Sequence, residues 1–239
     1  MVASDVATPI ESSDVTTPEE YARWRETYLG ALTERIEAAA IFHLAGDPRG
    51  RHLLDLGCGD GTYSIAASQR GAIVTGIDIS EAMLEAARRR ASAAGASVEW
   101  RCASAESLPY DAETFDIVLA GTIFCFLREP LQAMREAGRV LRPGGALVIG
   151  ELARYSSWAL RRRLRAWSGS SRWREAHFWT LGELRQLLQQ AGFRVTASQG
   201  CVYYPPSGLA AHILGEHDHV FSFLGQLGAA FLAVRAQNS

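Results

Sequence analysis

Residues 53 to 61 read LLDLGCGDG: an apolar run, an acid at Asp55, and glycines at every second position, Gly57, Gly59 and Gly61. A glycine turn that ends a strand and opens a helix lets a ligand approach the backbone and meet free N–H groups. The spacing decides which ligand. The dinucleotide fingerprint needs G-x-G-x-x-G, but position 62 is Thr62; a phosphate-binding P-loop needs G-K-[ST], but the chain contains no lysine. The turn is too tight to match a pyrophosphate well. Asp78 stands where the next apolar run ends, about 20 residues on, the place from which an acid accepts hydrogen bonds from ribose hydroxyls.

These residues need a scaffold that ends its strands at one edge. HLLDL (52–56) reads as a short buried strand, and the glycine turn leads into a helix from about Thr62 to Arg70. AIVTGID (72–78) is a second strand. SEAMLEAARRRASAAG is a helix with Ser80 as N-cap and Gly95 as its stop. SVEWRCA (97–103) and FDIVLAG (115–121) are the third and fourth strands, Glu129 to Leu141 is helical and closed by RPGG, and ALVIGE (146–151) is the fifth strand. Strands alternating with helices imply right-handed crossovers and an open parallel sheet, with ligands outside the carboxyl ends of the strands. The loops after residues 56, 78, 103 and 121 therefore surround one site. Downstream, TLGELRQLLQQAGF is a helix between Thr180 and Gly192, RVTASQGCVYY a strand, and GAAFLAVRA (228–236) a last strand, antiparallel at the edge. Upstream, Tyr21, Trp24, Tyr28, Leu32 and Ile36 step by three or four from near Pro18, as one helix with one apolar face.

A G-x-G-x-G turn suits a ligand without phosphate, such as an adenosyl sulfonium with an amino-acid tail. ASAESLPY follows the third strand, where an adenine edge would lie. Together LDLGCGDG, Asp78, ASAESLPY and RVLRPGGALVIGE resemble the class I S-adenosylmethionine-dependent methyltransferases, in the small-molecule branch similar to ubiquinone and menaquinone biosynthesis enzymes, over roughly residues 20 to 200. The resemblance implies an α/β, Rossmann-like doubly wound sheet of about seven strands, mostly parallel with an antiparallel edge strand, plus a helical cap. It implies S-adenosylmethionine as cofactor. Asp55 would organise the loop and the ligand's ammonium side, while Gly57, Gly59 and Gly61 admit its methionine and ribose. Asp78 would take the ribose hydroxyls, Ile79 would cover one adenine face, and Gly121 and Thr122 would line the reactive end. The family often has Asp-Ala beside the adenine amino group; this chain has Ser104-Ala105, and serine accepts that bond more weakly than a carboxylate. Base amino methylation uses an N/D-P-P-Y tetrad after the fourth strand, where this chain has AGTIFCF (120–126).

The acceptor side is less determined. Residues 152–179 interrupt the step from the fifth strand to the next helix with seven arginines (154, 161, 162, 163, 165, 172, 174), four of the six tryptophans (158, 167, 173, 179), and no acid before Glu175. Leu160, Leu164 and Trp167 share a helical face, so an amphipathic lid with solvated arginines is the favoured reading. An anion-recognising cap and a nucleic-acid or anionic-membrane contact are the alternatives. Phe124, Cys125 and Phe126 read equally well as an apolar acceptor wall or as packing. Tyr21, Trp24 and Tyr28 are candidates to close over the site, Trp179 to line it, and His177 to act as base or orient the acceptor. His212, Glu216, His217, Asp218 and His219 read as a polar loop rather than a metal site.

Composition bounds these readings. The 239 residues are 48% hydrophobic, enough for the core of a single α/β domain, and the net charge of -2 leaves no global field for nucleic acid. Cys58, Cys102, Cys125 and Cys201 show no CxxC spacing and fit a reducing, cytoplasmic setting. Residues 1–17 read as a disordered tail ahead of one domain, 18–239, and no apolar run approaches the about 18 residues of a membrane span. The expected function is methyl transfer to a small molecule. The rivals are an RNA or protein methyltransferase docking through 152–179, a non-catalytic cofactor-binding partner subunit, and, more distantly, an NAD dehydrogenase.

Overall fold

A computed structural model describes residues 17–167 and 173–238. Seven strands form one sheet in the order β3-β2-β1-β4-β5-β7-β6. They are β1 (His52–Leu56), β2 (Ile73–Asp78), β3 (Val98–Cys102), β4 (Phe115–Gly121), β5 (Leu141–Leu152), β6 (Phe193–Cys201) and β7 (Phe231–Asn238). β1 to β5 pair in parallel, and β7 runs antiparallel between β5 and the edge strand β6. β1 has β2 on one side and β4 on the other, so the order reverses at β1 and opens a crevice at its carboxyl end. The glycine turn occupies that crevice.

Central strands covered on both faces must be apolar throughout, and Leu53, Leu54 and Leu56 of β1 are all fully buried. One face carries α5 (Pro130–Val140) and α7 (Leu181–Gln190), whose Ala133, Met134, Leu184 and Leu188 pack on Leu54, Leu147 and Ile149. The other face carries α2 (Tyr28–Ala45), whose Ile41 and Leu44 pack with Leu53, Val148, Trp158 and Tyr204. Each such buried side chain contributes about 1.5–3 kcal/mol. α3 (Thr62–Gln69) and α4 (Glu81–Ala93) complete the crossovers between β1, β2 and β3. Beyond β6, α8 (Gly208–Leu214) and a 3-10 segment (Gly215–Leu224) lead to β7. No helix among the described residues is long and apolar enough to cross a membrane.

Three local features differ from expectation. The first helix is two, α1 (Pro18–Glu26) and α2, because Thr27 stays extended (φ -76, ψ 146) and its hydroxyl accepts the Gly30 N–H at 3.0 Å. Threonine competes with helix continuation by capping the next one. RPGG does not separate α5 from a strand starting at 146: β5 begins at Leu141, which pairs with Phe115, and Arg142–Gly145 bulge out before Ala146 pairs with Ile117. Thr17 already caps α1, its hydroxyl taking the Glu20 N–H. The rest of the expected tail, residues 1–16, and Arg172 of the 152–179 segment lie outside the described residues.

Candidate functional site

Asp55, one residue before the end of β1, is fully buried; its Oδ2 accepts the Ser64 hydroxyl at 2.6 Å and its Oδ1 has no partner. Burial pushes its carboxyl up to about 6, against the pull of Ser64. A buried acceptor left open costs free energy until a ligand or water completes it. Gly57, Gly59 and Gly61 follow at φ +68, +53 and +87, all in the left-handed region. A Cβ on Gly57 would overlap Ile123, and one on Gly61 would come within 2.7 Å of the Trp100 ring, so these two glycines serve packing. A Cβ on Gly59 would meet nothing within 4 Å. That glycine is open on the ligand side.

Asp78, at the end of β2, binds the loop: its Oδ2 accepts the Gly59 N–H and its Oδ1 the Ser80 N–H, each at 2.9 Å. Burial raises its pKa while these bonds pull it down. Each oxygen retains lone-pair capacity for a further donor. Beside it Ile79 is 67% exposed, a free apolar surface. Ser104 is half-buried with its hydroxyl accepting the Glu106 N–H at 3.2 Å, and Ala105 is buried in the core. At the end of β4, Gly121 lies so close to the Tyr63 ring that a Cβ would overlap it. Thr122 is held at φ +57 by its N–H bond to Gly150 O at 2.7 Å, a strained conformation of the kind that clusters at functional sites.

Tyr21 of α1, Glu34 and Glu37 of α2, and Tyr63 of α3 are half-buried, and burial raises the pKa of each. Glu37 is pushed up to about 8 by burial, opposed by the nearby Arg162 charge and assisted by Glu34. Arg162 lies on α6 (Ser157–Trp167), its guanidinium 5.3 Å from the Trp158 ring and 4.8 Å from the Trp173 ring. α1 is fastened to the glycine turn: Arg25 pairs with Asp60 at 2.5 Å, and Asp60 also binds Arg90 of α4 at 2.8 Å.

Several expected acceptor residues stand elsewhere. Tyr28 is exposed and stacks on His212 at 3.6 Å, apart from Tyr21, because the break at Thr27 turns α2 away from α1. Trp24 stays with Tyr21, ring centres 5.6 Å apart. Phe124 is 1% exposed and belongs to the core, as does Trp179, whereas Phe126 is exposed with its ring 6.4 Å from Trp173. His177 is an exposed cap residue: Nε2 faces an Arg154 N–H at 3.2 Å, and the ring lies 4.2 Å from Trp179. Arginine can only donate, so Nε2 is the acceptor, and partial burial lowers the imidazole pKa against the pull of the Glu183 charge, with a smaller push from Arg154.

On the cap Arg161, Arg163, Arg165 and Arg174 are exposed, and Arg154 and Arg162 half-buried. Arg154 pairs with Glu183 at 2.8 Å, Arg161 donates to Pro206 O, Arg163 covers the Phe178 ring at 5.2 Å, and Arg174 donates to Ala166 O at 3.3 Å. Leu160, Leu164 and Trp167 also face outward, 60%, 56% and 91% exposed. A hollow of about 900 Å³ on this cap is lined by Arg154, Arg163, Trp167, Trp173, His177 and Phe178, with no glycine-loop residue. Downstream, Asp218 is buried and accepts the Val202 and Tyr203 N–H groups at 2.8 and 2.6 Å, and Glu216 pairs with Arg35 at 2.5 Å.

Sequence reasoning missed Glu34, Glu37, Tyr63, Asp60 and Glu151. Glu151, one residue before the end of β5, is fully buried, with Oε1 accepting the Phe124 N–H at 2.7 Å, Oε2 unpartnered, and its carboxyl pushed up to about 8 by burial. One signal was present: Glu37 shares a helical face with Thr33, Ile41 and Leu44, all buried, and an acid on an apolar face is unusual.

The comparisons with known proteins agree with this geometry. A family model described as a methyltransferase domain matches residues 54–149, from the strand before the glycine turn into β5. An uncharacterized protein of Mycobacterium tuberculosis is 34% identical over 239 residues, covering 98% of this chain and 77% of its own length. A ubiquinone biosynthesis O-methyltransferase of Coxiella burnetii is 33% identical over 106 residues, 44% of this chain and 45% of that protein. A solved S-adenosylmethionine-dependent methyltransferase of Thermotoga maritima, described as a possible histamine N-methyltransferase, superposes with a TM-score of 0.70 at 25% identity, over 92% of this chain and 95% of that one. By its glycine crevice, its sheet and these relatives, the chain belongs to the class I S-adenosylmethionine-dependent methyltransferases.

Proposed function

We propose that this enzyme transfers the methyl group to a small-molecule acceptor held beside the glycine crevice under α1, with residues 152–179 as its cap. The observation that carries this reading is the closure of the crevice by neighbouring helices: Arg25 of α1 pairs with Asp60 of the glycine turn at 2.5 Å, and the Tyr63 ring of α3 lies against Gly121 at the end of β4.

The residues present fit the cofactor. The open Oδ1 of Asp55 would accept its ammonium, Gly59 would let its sugar approach the backbone, and the Asp78 oxygens would take the ribose hydroxyls. Ile79 would cover one adenine face and the Ser104 hydroxyl would meet the adenine amino group, while Gly57, Gly61 and Ala105 shape the walls. Gly121 and Thr122 would border the reactive end. When bound, the sulfonium supplies an electrophilic methyl. The chain's part is to hold the acceptor in line and exclude water, and such positioning is worth about 7–11 kcal/mol of barrier.

Transfer of radiolabelled methyl to hydroxyl and amine panels, run beside total RNA and protein extract, tests the reading. Two of the relatives named above are described as an O-methyltransferase and a possible N-methyltransferase, so both acceptor atoms belong in the panel. Label confined to small molecules is expected; salt-sensitive label in RNA, or label in protein, overturns it.

A further inference from the structure

The hollow on the cap lies outside the glycine crevice: every described residue that lines it comes from the cap itself, between Arg154 and Phe178. We infer that this hollow is a second binding site of the enzyme and that it takes a small aromatic carboxylate. Its volume of about 900 Å³ falls within the roughly 300–1,000 Å³ of ligand pockets.

The charge around the hollow has one sign. Arg154, Arg163 and Arg174 line it together with His177, and no acid does among the described residues. Glu175 follows Arg174 in the chain but is exposed and outside the lining. Glu183 reaches Arg154 at 2.8 Å and accepts the Thr180 N–H and hydroxyl, each at 2.8 Å, so those two charges are already matched. Arg163 and Arg174 have no carboxylate within ion-pair distance among the described residues. Arg174 is tied to the end of α6 through Nε, which donates to Ala166 O at 3.3 Å, and its two terminal nitrogens take no part in that bond. A guanidinium presents its donors in the geometry that a carboxylate's two oxygens accept.

The rest of the wall is aromatic. The Trp173 and Phe178 rings lie 29° from parallel with centres 6.3 Å apart, and both line the hollow. Arg162 stands 4.8 Å from the Trp173 ring and Arg163 5.2 Å from the Phe178 ring. Trp167 adds an indole that is almost wholly exposed. Rings and flat guanidinium groups stacked in this way extend readily onto one more flat ring. An aliphatic anion would leave the aromatic surface in water, and an uncharged ring would leave Arg163 and Arg174 without a carboxylate. The two demands together select an aromatic carboxylate.

The hollow is also tied to the loop after β4. The His177 N–H donates to Cys125 O at 2.9 Å, and the Cys125 thiol donates to Thr122 O at 3.6 Å. Phe126, next in that loop, places its ring 6.4 Å from Trp173. Its wall therefore stands two contacts from Thr122, the strained residue at the end of β4.

Calorimetric titration of the full chain with 2-naphthoate tests the site without turnover. The controls are 2-naphthamide, which keeps the ring and loses the charge, cyclohexanecarboxylate, which keeps the charge and loses the ring, and inorganic phosphate. The expected result is binding of 2-naphthoate at least about tenfold tighter than of any control, unchanged when S-adenosylhomocysteine fills the glycine crevice. Arg163→Gln and Arg174→Gln change exposed side chains, so both variants should keep the parent's melting temperature and S-adenosylhomocysteine affinity. Each is expected to weaken 2-naphthoate by about tenfold or more, the loss of one charged hydrogen bond. Trp167→Ala, on an almost wholly exposed residue, should weaken 2-naphthoate and leave cyclohexanecarboxylate unaffected. Equal binding of 2-naphthamide overturns the carboxylate, and equal binding of cyclohexanecarboxylate or phosphate overturns the ring. No binding, parent-like binding in both arginine variants, or displacement by S-adenosylhomocysteine overturns the site itself. None of these outcomes depends on which acceptor is methylated, so the methyl-transfer panel succeeds or fails separately.

Discussion

Arg25 on α1 and Asp60 in the glycine turn form an ion pair at 2.5 Å, and both side chains are largely shielded from solvent. The helix that carries Tyr21 and Trp24 is thus fastened to the loop that shapes the glycine crevice. Asp60 keeps Arg90 when Arg25 is lost, so the cost of Arg25→Ala is that of one charged hydrogen bond, about 2 kcal/mol. Limited proteolysis checks this. Cleavage near Thr27, between α1 and α2, is expected to accelerate in Arg25→Ala and to be suppressed by cofactor in the parent. An unchanged cleavage rate would show that α1 is held by other contacts.

The glycines divide by what surrounds them. Gly61→Ala meets the Trp100 ring at 2.7 Å at φ +87, and is expected to lower stability by about 1–3 kcal/mol. Gly59→Ala carries only the left-handed backbone cost, about 1–2 kcal/mol, but its methyl occupies the open ligand side. Chemical denaturation and S-adenosylhomocysteine titration separate the two: Gly59→Ala should fold and bind poorly. Parent-like affinity in Gly59→Ala would move the ligand away from that glycine.

Asp78→Ala removes the acceptor of the Gly59 and Ser80 N–H groups together with the group assigned to the ribose. A ligand at 100 times its dissociation constant stabilises by about 2.7 kcal/mol, and that rise in melting temperature should vanish in the variant. S-adenosylhomocysteine, NAD and NADP are compared side by side. Stabilisation by the dinucleotides instead would overturn the reading of the glycine turn.

Glu151 predicts a pH effect. Burial raises its folded pKa from 4.5 to about 8, so between those values the folded state binds a proton that the unfolded state does not. Its contribution to stability is full below about pH 4.5 and is lost as pH rises through 8. Glu151→Gln can still accept the Phe124 N–H and carries no charge, so it should gain stability over the parent at pH 8 to 9 and flatten the curve. Glu37 slopes the same window, so the variant curve flattens without becoming level. Melting temperatures from pH 5 to 9 decide it; parallel curves would refute the buried-acid account.

His177→Ala is expected to reduce kcat by less than about tenfold, because its Nε2 is occupied by Arg154 on the exposed cap. Removing a general base costs about 10²–10⁴-fold. A loss of that size would return His177 to the reaction.

The sequence by itself determined the parts whose signals are local. β4 occupies 115–121 as its apolar run indicates, Ser80 and Thr180 cap their helices, and Asp55, Asp78 and the three glycines stand at strand ends around one crevice. Strand runs, caps and left-handed glycines are properties of a few adjacent residues, so reading them needs no knowledge of the rest of the chain. What lies beside the crevice was decided by tertiary structure. Tyr63 meets Gly121, and Arg25 meets Asp60, only because α1 and α3 pack beside the ends of β1 and β4. The cap makes the same point: its helical pattern was legible, but burial against Trp158 and Trp173 turned Arg162 inward and left Leu160, Leu164 and Trp167 in solvent. Which face of a helix is buried depends on what lies across from it, and that partner is set by the fold, far away in sequence.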